Sequence, residues 1–287
     1  VTQTRALQLL LLAVVLFGGV WPVTKHALMH ATPLWFATSR AGLAVISATL
    51  LALVLRRLHW PARRDIPSVL AVGSLQLAGF FLFAHLALAL VPAGRTAVLS
   101  NVTLMWLVPL SMLVLQERIS PMRWGAVALA MFGVAIMLGP WAIDWRAPGA
   151  VSGHVLLLGA SLSWSVAIVL VRRFPPVSPM IDLLPWSFSM ATLILGTAAL
   201  LREPGGGIGV EAWPHAAFIG LVAAPIGTWA VIESGRHLNA VLASVGFLLV
   251  PVLGLGLATN WLGEPLGWDL ILGGLLIMGS VVMAARG

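Results

Sequence analysis

Few side chains in this sequence could do chemistry, and their types narrow what that chemistry is. There is no cysteine, which removes disulfides, thiolate metal sites and thiol nucleophiles. His26 and His30 form an H-x-x-x-H pair one helical turn apart; the spacing could share a metal, but no third ligand accompanies it, so no metal is expected. The runs "GLGLAT" and "PGGGIG" match phosphate-cradling loops in glycine content alone. One lies inside an apolar run, and the other lacks the Lys-Ser/Thr pair. No Asp or Glu stands in the middle of an apolar run, so neither a carboxylate proton relay nor a convergent catalytic set is indicated. What remains is binding chemistry. Rings and small polar groups recur inside the apolar runs, notably Phe17, Trp21, Gln76, Phe80, Phe83, Asn101, Trp164, Ser165, Ser244 and Phe247. Together they offer stacking area and a few hydrogen bonds to a small solute, with no covalent step and no cofactor.

The elements that must position these residues follow from composition. Of 287 residues, 60% are hydrophobic and 9% charged, with mean hydropathy +1.02; an ordinary soluble domain carries about 25% charged residues. One soluble core could not hide so much apolar surface, so lipid is the solvent for most of the chain. The net charge of +7 is dispersed over short loops rather than massed on a face, which excludes nucleic acid as a partner. There are 13 tryptophans and no tyrosine, so an interfacial aromatic belt must be built from Trp and Phe. The opening "VTQTRALQLLLLAVVLFGGVW" reads as a spanning helix, since no small-residue cleavage site leads into a soluble domain.

About 20 apolar residues cross a bilayer as a helix. That rule predicts ten spans, near 6–26, 33–55, 66–89, 93–115, 121–139, 153–171, 180–201, 214–234, 239–261 and 266–285. The fold class expected is therefore all-α and integral to the membrane, with lipid bilayer as the surrounding partner. Eleven Lys and Arg residues fall on the side of the N-terminus and four on the other, which predicts both termini in the cytoplasm. The longest polar interval, "GPWAIDWRAPGAVSG", divides the chain into 1–139, a linker 140–152, and 153–287.

A fixed interval relates the halves. Glu117 and Glu264 are 147 positions apart, as are Gly73 and Gly220, Ala93 and Ala240, Lys25 and Arg172, and Phe17 and Trp164. Five spans per half is an odd number, so the second half must be inverted relative to the first. This is the design of secondary transporters that bind substrate near the midplane between repeats. Each glutamate closes a hairpin whose next helix opens on proline, Pro121 or Pro265.

The stretches "FGGVWPVTK" and "WSVAIVLVRR" at the starts of the halves, with "QERISPMRWGAVALAMFGVAIM" and "GEPLGWDLILGGLLIMGSVVM" at their ends, resemble the two repeats of EamA-type drug/metabolite transporters. Within that superfamily the chain is most similar to bacterial exporters of aromatic amino acids. The resemblance covers nearly the whole chain and implies ten helices around a central cavity built mainly by helices 1, 3, 4, 6, 8 and 9. One departure is Leu104, which stands where the second repeat has Pro251.

Face by face, the candidates group as follows. Gln76, Phe80 and Phe83 recur at intervals of three or four on the third span; Ala97, Ser100, Asn101 and Leu104 share a face of the fourth. Trp164 sits with Ser161 and Ser165 on the sixth, and Ala240, Ser244 and Phe247 align on the ninth. For each, hydrogen bonding or packing between helices is the competing reading. Pro22, Pro109, Pro225 and Pro251 each leave one helical carbonyl without its donor and are candidate hinges. Arg40 is the one charge well inside a span; it could meet a substrate carboxylate or snorkel to the interface. Paired small residues such as Gly125 and Gly133 are assigned to packing within the bundle, and a monomer is expected. The function these features imply is export of small neutral or zwitterionic solutes, aromatic and other amino acids first, across a bacterial plasma (inner) membrane. The rivals are a multidrug exporter and, from another class, an intramembrane lipid-processing enzyme.

Overall fold

The computed structural model of the protein describes residues 3–139, 141–237, 246 and 249–286. These residues are helical almost throughout; an isolated antiparallel bridge joins Ala31 to Ile208. In chain order the α-helices are α1 (Gln3–Ala27), α2 (Pro33–Val54), α3 (Ile66–Leu70), α4 (Phe80–Leu90), α5 (Ala93–Leu99), α6 (Thr103–Leu115) and α7 (Pro121–Met137). They continue as α8 (Ala150–Arg173), α9 (Met180–Arg202), α10 (Trp213–Ala217), α11 (Ala224–His237), α12 (Leu249–Leu262) and α13 (Trp268–Arg286). Two π-helical stretches, Ala71–Gly79 and Phe218–Ala223, join α3 to α4 and α10 to α11. Eight helical stretches among the described residues are long and apolar enough to cross a membrane; α7 and α12 are apolar but shorter. Those two occupy the places expected of the fifth and ninth spans. Ser244 and Phe247 lie outside the described residues.

Local sequence explains where the helices begin and end. Pro33 and Pro121 open α2 and α7, where a missing N–H costs nothing. Ser120 caps α7, its hydroxyl accepting from the Arg123 N–H at 3.3 Å. The α2 and α5 ends have no such cap of their own. Glu203 accepts from the Leu34 N–H at 3.1 Å and the Trp35 N–H at 3.4 Å. Glu264 accepts from Ala93 N–H at 2.6 Å and Gly94 N–H at 2.8 Å. Two glutamates of the second half thus satisfy helix starts of the first, at the positive end of each helix dipole.

The interval of 147 recurs in the helix boundaries. Starts at 3, 33, 66, 71, 121 are matched by starts at 150, 180, 213, 218, 268, and ends at 90 and 115 by ends at 237 and 262. The hairpins after α6 and α12 match as well. Gln116 (φ 54°) and Gly263 (φ 67°) both turn left-handed. The following glutamates close the turn, Glu117 N–H to Ser111 O at 3.4 Å and Glu264 N–H to Ala258 O at 3.3 Å.

Packing obeys the same register. α2 lies along α9 and α7 along α13; α1 packs on α11 and α12, and α8 on α4 and α6. Swapping register mates turns the α1 contacts into the α8 contacts and returns the other two pairs to themselves. Close approach depends on glycine at two matched positions. A Cβ on Gly220 would stand 2.6 Å from both the Arg40 carbonyl oxygen and the Leu43 Cβ. A Cβ on Gly73 would stand 3.0 Å from the Ser187 carbonyl oxygen and the Met190 Cβ. Arg40 and Ser187, like Leu43 and Met190, are themselves 147 apart.

Candidate functional site

Three of the expected aromatic residues meet. Phe80, the first residue of α4, holds its ring edge-on to Trp21 of α1 (centroids 6.1 Å) and to Trp164 of α8 (5.0 Å). Trp21 is buried; Phe80 and Trp164 are half-buried. Edge-to-face contacts at these distances are the preferred aromatic geometry. Rings from both halves of the chain therefore build one cluster. Phe17 is half-buried one turn before Trp21, and a Cβ on Gly227 of α11 would stand 2.8 Å from its ring. Gly227 is the register mate of Phe80 and Phe17 that of Trp164, so the Phe80–Trp164 contact has its counterpart in the approach of Phe17 to Gly227. Phe83 is half-buried and packs over Gly159 of α8.

The polar candidates divide. Gln76 lies in the π-helical stretch one turn before Phe80, half-buried, and its amide has no hydrogen-bond partner among the described residues. Asn101 is half-buried and donates from Nδ2 to Ala97 O at 2.7 Å. Ser165 is fully buried, donating to Ser161 O (2.7 Å) and Thr103 O (3.1 Å). Ser165 thus fastens α8 to the start of α6.

That bond sits where the fourth expected span is broken. Ser100, Asn101 and Val102 separate α5 from α6, and no proline stands there. Pro22 and Pro109 lie inside uninterrupted α-helices, α1 and α6. Pro225 is the second residue of α11, directly after a π-helical stretch, and Pro251 the third of α12. In membranes, π adjustments and neighbouring helices absorb a proline's lost bond. The break at Ser100–Val102 is held instead by α8, through Ser165 and through a Trp106 Nε1–H donation to Ser161 Oγ at 2.9 Å. Trp106 was not among the sequence candidates; it lies two residues beyond Leu104, off the face that Ala97, Ser100, Asn101 and Leu104 share.

The two ends of the helix bundle carry matched charges in different states. At one end Lys25 donates to Leu88 O (2.6 Å) and Val91 O (3.1 Å) and attracts the Glu264 carboxylate, which caps α5. At the other end their register mates pair with each other: Arg172 donates to Glu117 Oε1 and, at 3.3 Å, to Ser111 Oγ. There the side chains are 47% and 32% exposed. The first arrangement clamps three helix ends together, whereas the second is a solvated surface pair.

Arg40 is buried on α2. Its Nη1 reaches the His85 Nε2 at 3.4 Å, and its guanidinium carbon stands 4.4 Å over the centre of the Phe81 ring. No carboxylate pairs with it in the ion pairs found among the described residues. Nor do those residues contain a group of three or more side chains able to hold a metal ion.

Comparison with known proteins places this architecture. The profile of the EamA-like transporter family matches the chain twice, over residues 4–139 and 151–286. The chain belongs to the EamA-like transporter family. It is therefore a multi-pass membrane transporter and not an enzyme. Among EamA-like relatives, a "Probable amino-acid metabolite efflux pump" of Salmonella typhimurium is 28% identical over 97% of this chain and 94% of that protein. A protein of the same description from Escherichia coli is 27% identical over 94% and 91%. The "Uncharacterized transporter YdeK" of Bacillus subtilis is 28% identical over 96% and 95%. A solved crystal structure is 20% identical, with a TM-score of 0.67 over 99% of this chain and 98% of that one, and shares the fold. The resemblance drawn from "FGGVWPVTK" and its counterparts is thus borne out at the level of the family.

Proposed function

We propose that this EamA-like transporter exports small neutral or zwitterionic metabolites, with aromatic amino acids the leading class. The observation that carries the reading is the Trp21–Phe80–Trp164 cluster. It joins three helices from both halves, and two of its rings are only half-buried. Such a surface offers stacking to a flat side chain, beside the half-buried Gln76 amide, which has no hydrogen-bond partner among the described residues. Ser244 and Phe247, outside the described residues, are proposed as further substrate-binding residues. The names of the Salmonella and Escherichia relatives agree with this substrate class.

The transport cycle proposed is alternating access by two inverted five-helix halves, ten spans in all, joined at 140–152. Support comes from helix boundaries, turns and packing that repeat at 147 residues, and from the odd number of helices per half. The lysine and arginine excess supports cytoplasmic termini in a bacterial inner membrane. In that orientation Lys25 and Glu264 clamp the outer end, while Arg172 and Glu117 form only an exposed pair at the inner end. Movement to the opposite state would release the first set and tighten the second. Pro22, Pro109, Pro225 and Pro251, with the break at Ser100–Val102, are proposed to take up the bending.

The deciding experiment is counterflow of radiolabelled phenylalanine in proteoliposomes holding the purified protein. Exchange above protein-free vesicles, inhibited by excess tryptophan and not by bulky organic cations, is expected. Inhibition by the cations alone would favour a multidrug exporter.

A further inference from the structure

Arg40 stands about 10 Å inside α2 from its first residue, at 1.5 Å per helical step. A cation at such a depth is costly without an anion, yet no carboxylate of the described fold pairs with it. The scaffold itself does not need a charge there. At the register mate the second half has Ser187, which makes the same close backbone approach to glycine on the neighbouring helix.

The contacts that Arg40 does make leave one edge of its guanidinium open. The His85 Nδ1 lies 2.7 Å from the Phe81 carbonyl oxygen, which makes Nδ1 the protonated nitrogen of a neutral ring. Its Nε2 then accepts from Arg40 Nη1, at a long 3.4 Å. Nε and Nη2 have no protein acceptor among the described residues. They are not sealed either. The buried polar side-chain atoms found without a partner are Thr24 Oγ1, His154 Nε2, Ser187 Oγ and Thr259 Oγ1, and no Arg40 nitrogen is among them. The free Nε–H/Nη2–H edge is therefore not fully enclosed, on a residue that is 9% exposed in all. That edge is the planar fork that binds a carboxylate through two parallel hydrogen bonds.

The fork also lies beside the aromatic cluster. Phe81, under the guanidinium, holds its ring 6.1 Å from that of Phe80. His85 is five residues beyond Phe80 on α4, about 140° further round the helix, so the connection between the fork and the cluster runs through the Phe81 ring, which touches both. We propose that Arg40, held by His85 and Phe81, binds the carboxylate of the transported solute while Phe80 and Trp164 receive its side chain. The ligand class is a monocarboxylate carrying a flat apolar group, the zwitterionic amino acid among them. This rests on the export reading above and adds the group that recognises the substrate's charge.

Two measurements test it. In counterflow, phenethylamine, which is phenylalanine without its carboxylate, should compete with phenylalanine at least about tenfold more weakly on the wild type. Arg40→Gln should raise the KM for phenylalanine by a similar factor and erase that preference, whereas Arg40→Lys should retain part of it. An Arg40→Gln protein that melts normally yet keeps the wild-type KM and preference overturns the proposal. If Arg40→Gln does not fold, the wild type alone decides, and equal competition by the two compounds overturns it. The second measurement is thermal stabilisation in detergent by phenylacetate against phenylacetamide. Wild type should be stabilised by the carboxylate alone and Arg40→Gln by neither. Absence of amino-acid counterflow with the phenylacetate effect intact would sink the export reading and leave the anchor standing. A wild type that does not distinguish phenylacetate from phenylacetamide sinks the anchor.

Discussion

Glu117 and Glu264 occupy matched positions of two repeats, yet removing their charges should have unequal consequences. Glu264 receives two backbone N–H donors at 2.6 and 2.8 Å, and its partner helix end is fully buried at Ala93. A glutamine there keeps one acceptor and turns an amide donor towards the other N–H, so one charge-assisted bond is lost. Such a bond contributes about 1.5–3 kcal/mol. At 1.4 kcal/mol per factor of ten, Glu264→Gln should shift the clamped end towards opening by about one to two orders of magnitude. Glu117 instead pairs with Arg172 across solvent, both side chains about a third exposed or more. Discounted for screening, that pair contributes about 0–1 kcal/mol in this state; because the opposite state is proposed to tighten it, Glu117→Gln should move the same equilibrium in the opposite sense. The absence of cysteine makes the assay direct. Ala258→Cys, fully buried at this contact, is labelled with a membrane-impermeant maleimide in each background. Labelling should rise steeply with Glu264→Gln and stay level or fall with Glu117→Gln. Equal rates in the two backgrounds would refute the claim that this end is clamped by Glu264.

Other expectations follow from single contacts. Trp164→Ala removes the closest ring pair of the cluster, at 5.0 Å, and an aromatic pair contributes about 0.5–1.5 kcal/mol beyond its area. Phenylalanine counterflow should fall severalfold relative to that of a small aliphatic amino acid; an equal fall for both, with a lower melting temperature, would assign Trp164 to packing. Gln116 holds φ 54°, a conformation costing a side chain roughly 1 kcal/mol, so Gln116→Gly should raise the melting temperature, while Gly263→Ala at φ 67° should lower it. Asp65 sits in the loop before α3, where burial would raise its carboxyl pKa but hydrogen bonds from Ser178, Val177 and Ala62 outweigh it and hold the pKa below the usual range. Its contribution to stability is thus present above the ordinary carboxylate pKa of about 3.9 and fades as pH falls through the lower folded value. Melting temperature should drop over that acidic window in the wild type, and the drop should shrink in Asp65→Asn.

Hydrophobic run length and the spacing of a few charged residues carried most of the fold in the sequence, because lipid forces every buried backbone group into a helix. The hairpins at Glu117 and Glu264 were legible for the same reason: a charge pair or turn residue inside so apolar a chain can only mark an end. Other features depend on partners far apart in the chain. The interruption at Ser100–Val102 has neither proline nor glycine; it is set by Ser165 and Trp106, bonds that span 62 and 55 residues. The prolines carry less local information: Pro22 and Pro109 lie inside helices that continue past them, and how far such a residue bends its helix depends on the neighbours that meet the freed carbonyl. Arg40 was visible as a misplaced charge, but its use depends on His85, 45 residues away, and on which edge of the guanidinium that contact leaves free. The same limit applies to the two bundle ends. Glutamate follows glutamate at an interval of 147, so residue type makes the ends equal. In the alternating-access cycle proposed above, that equality must nonetheless be broken in any one state, because both ends cannot be open at once. The two ends differ in what the matched carboxylates bind, two buried backbone N–H groups at one end and a solvated arginine at the other, and on the proposed cycle that difference in binding biases which end opens.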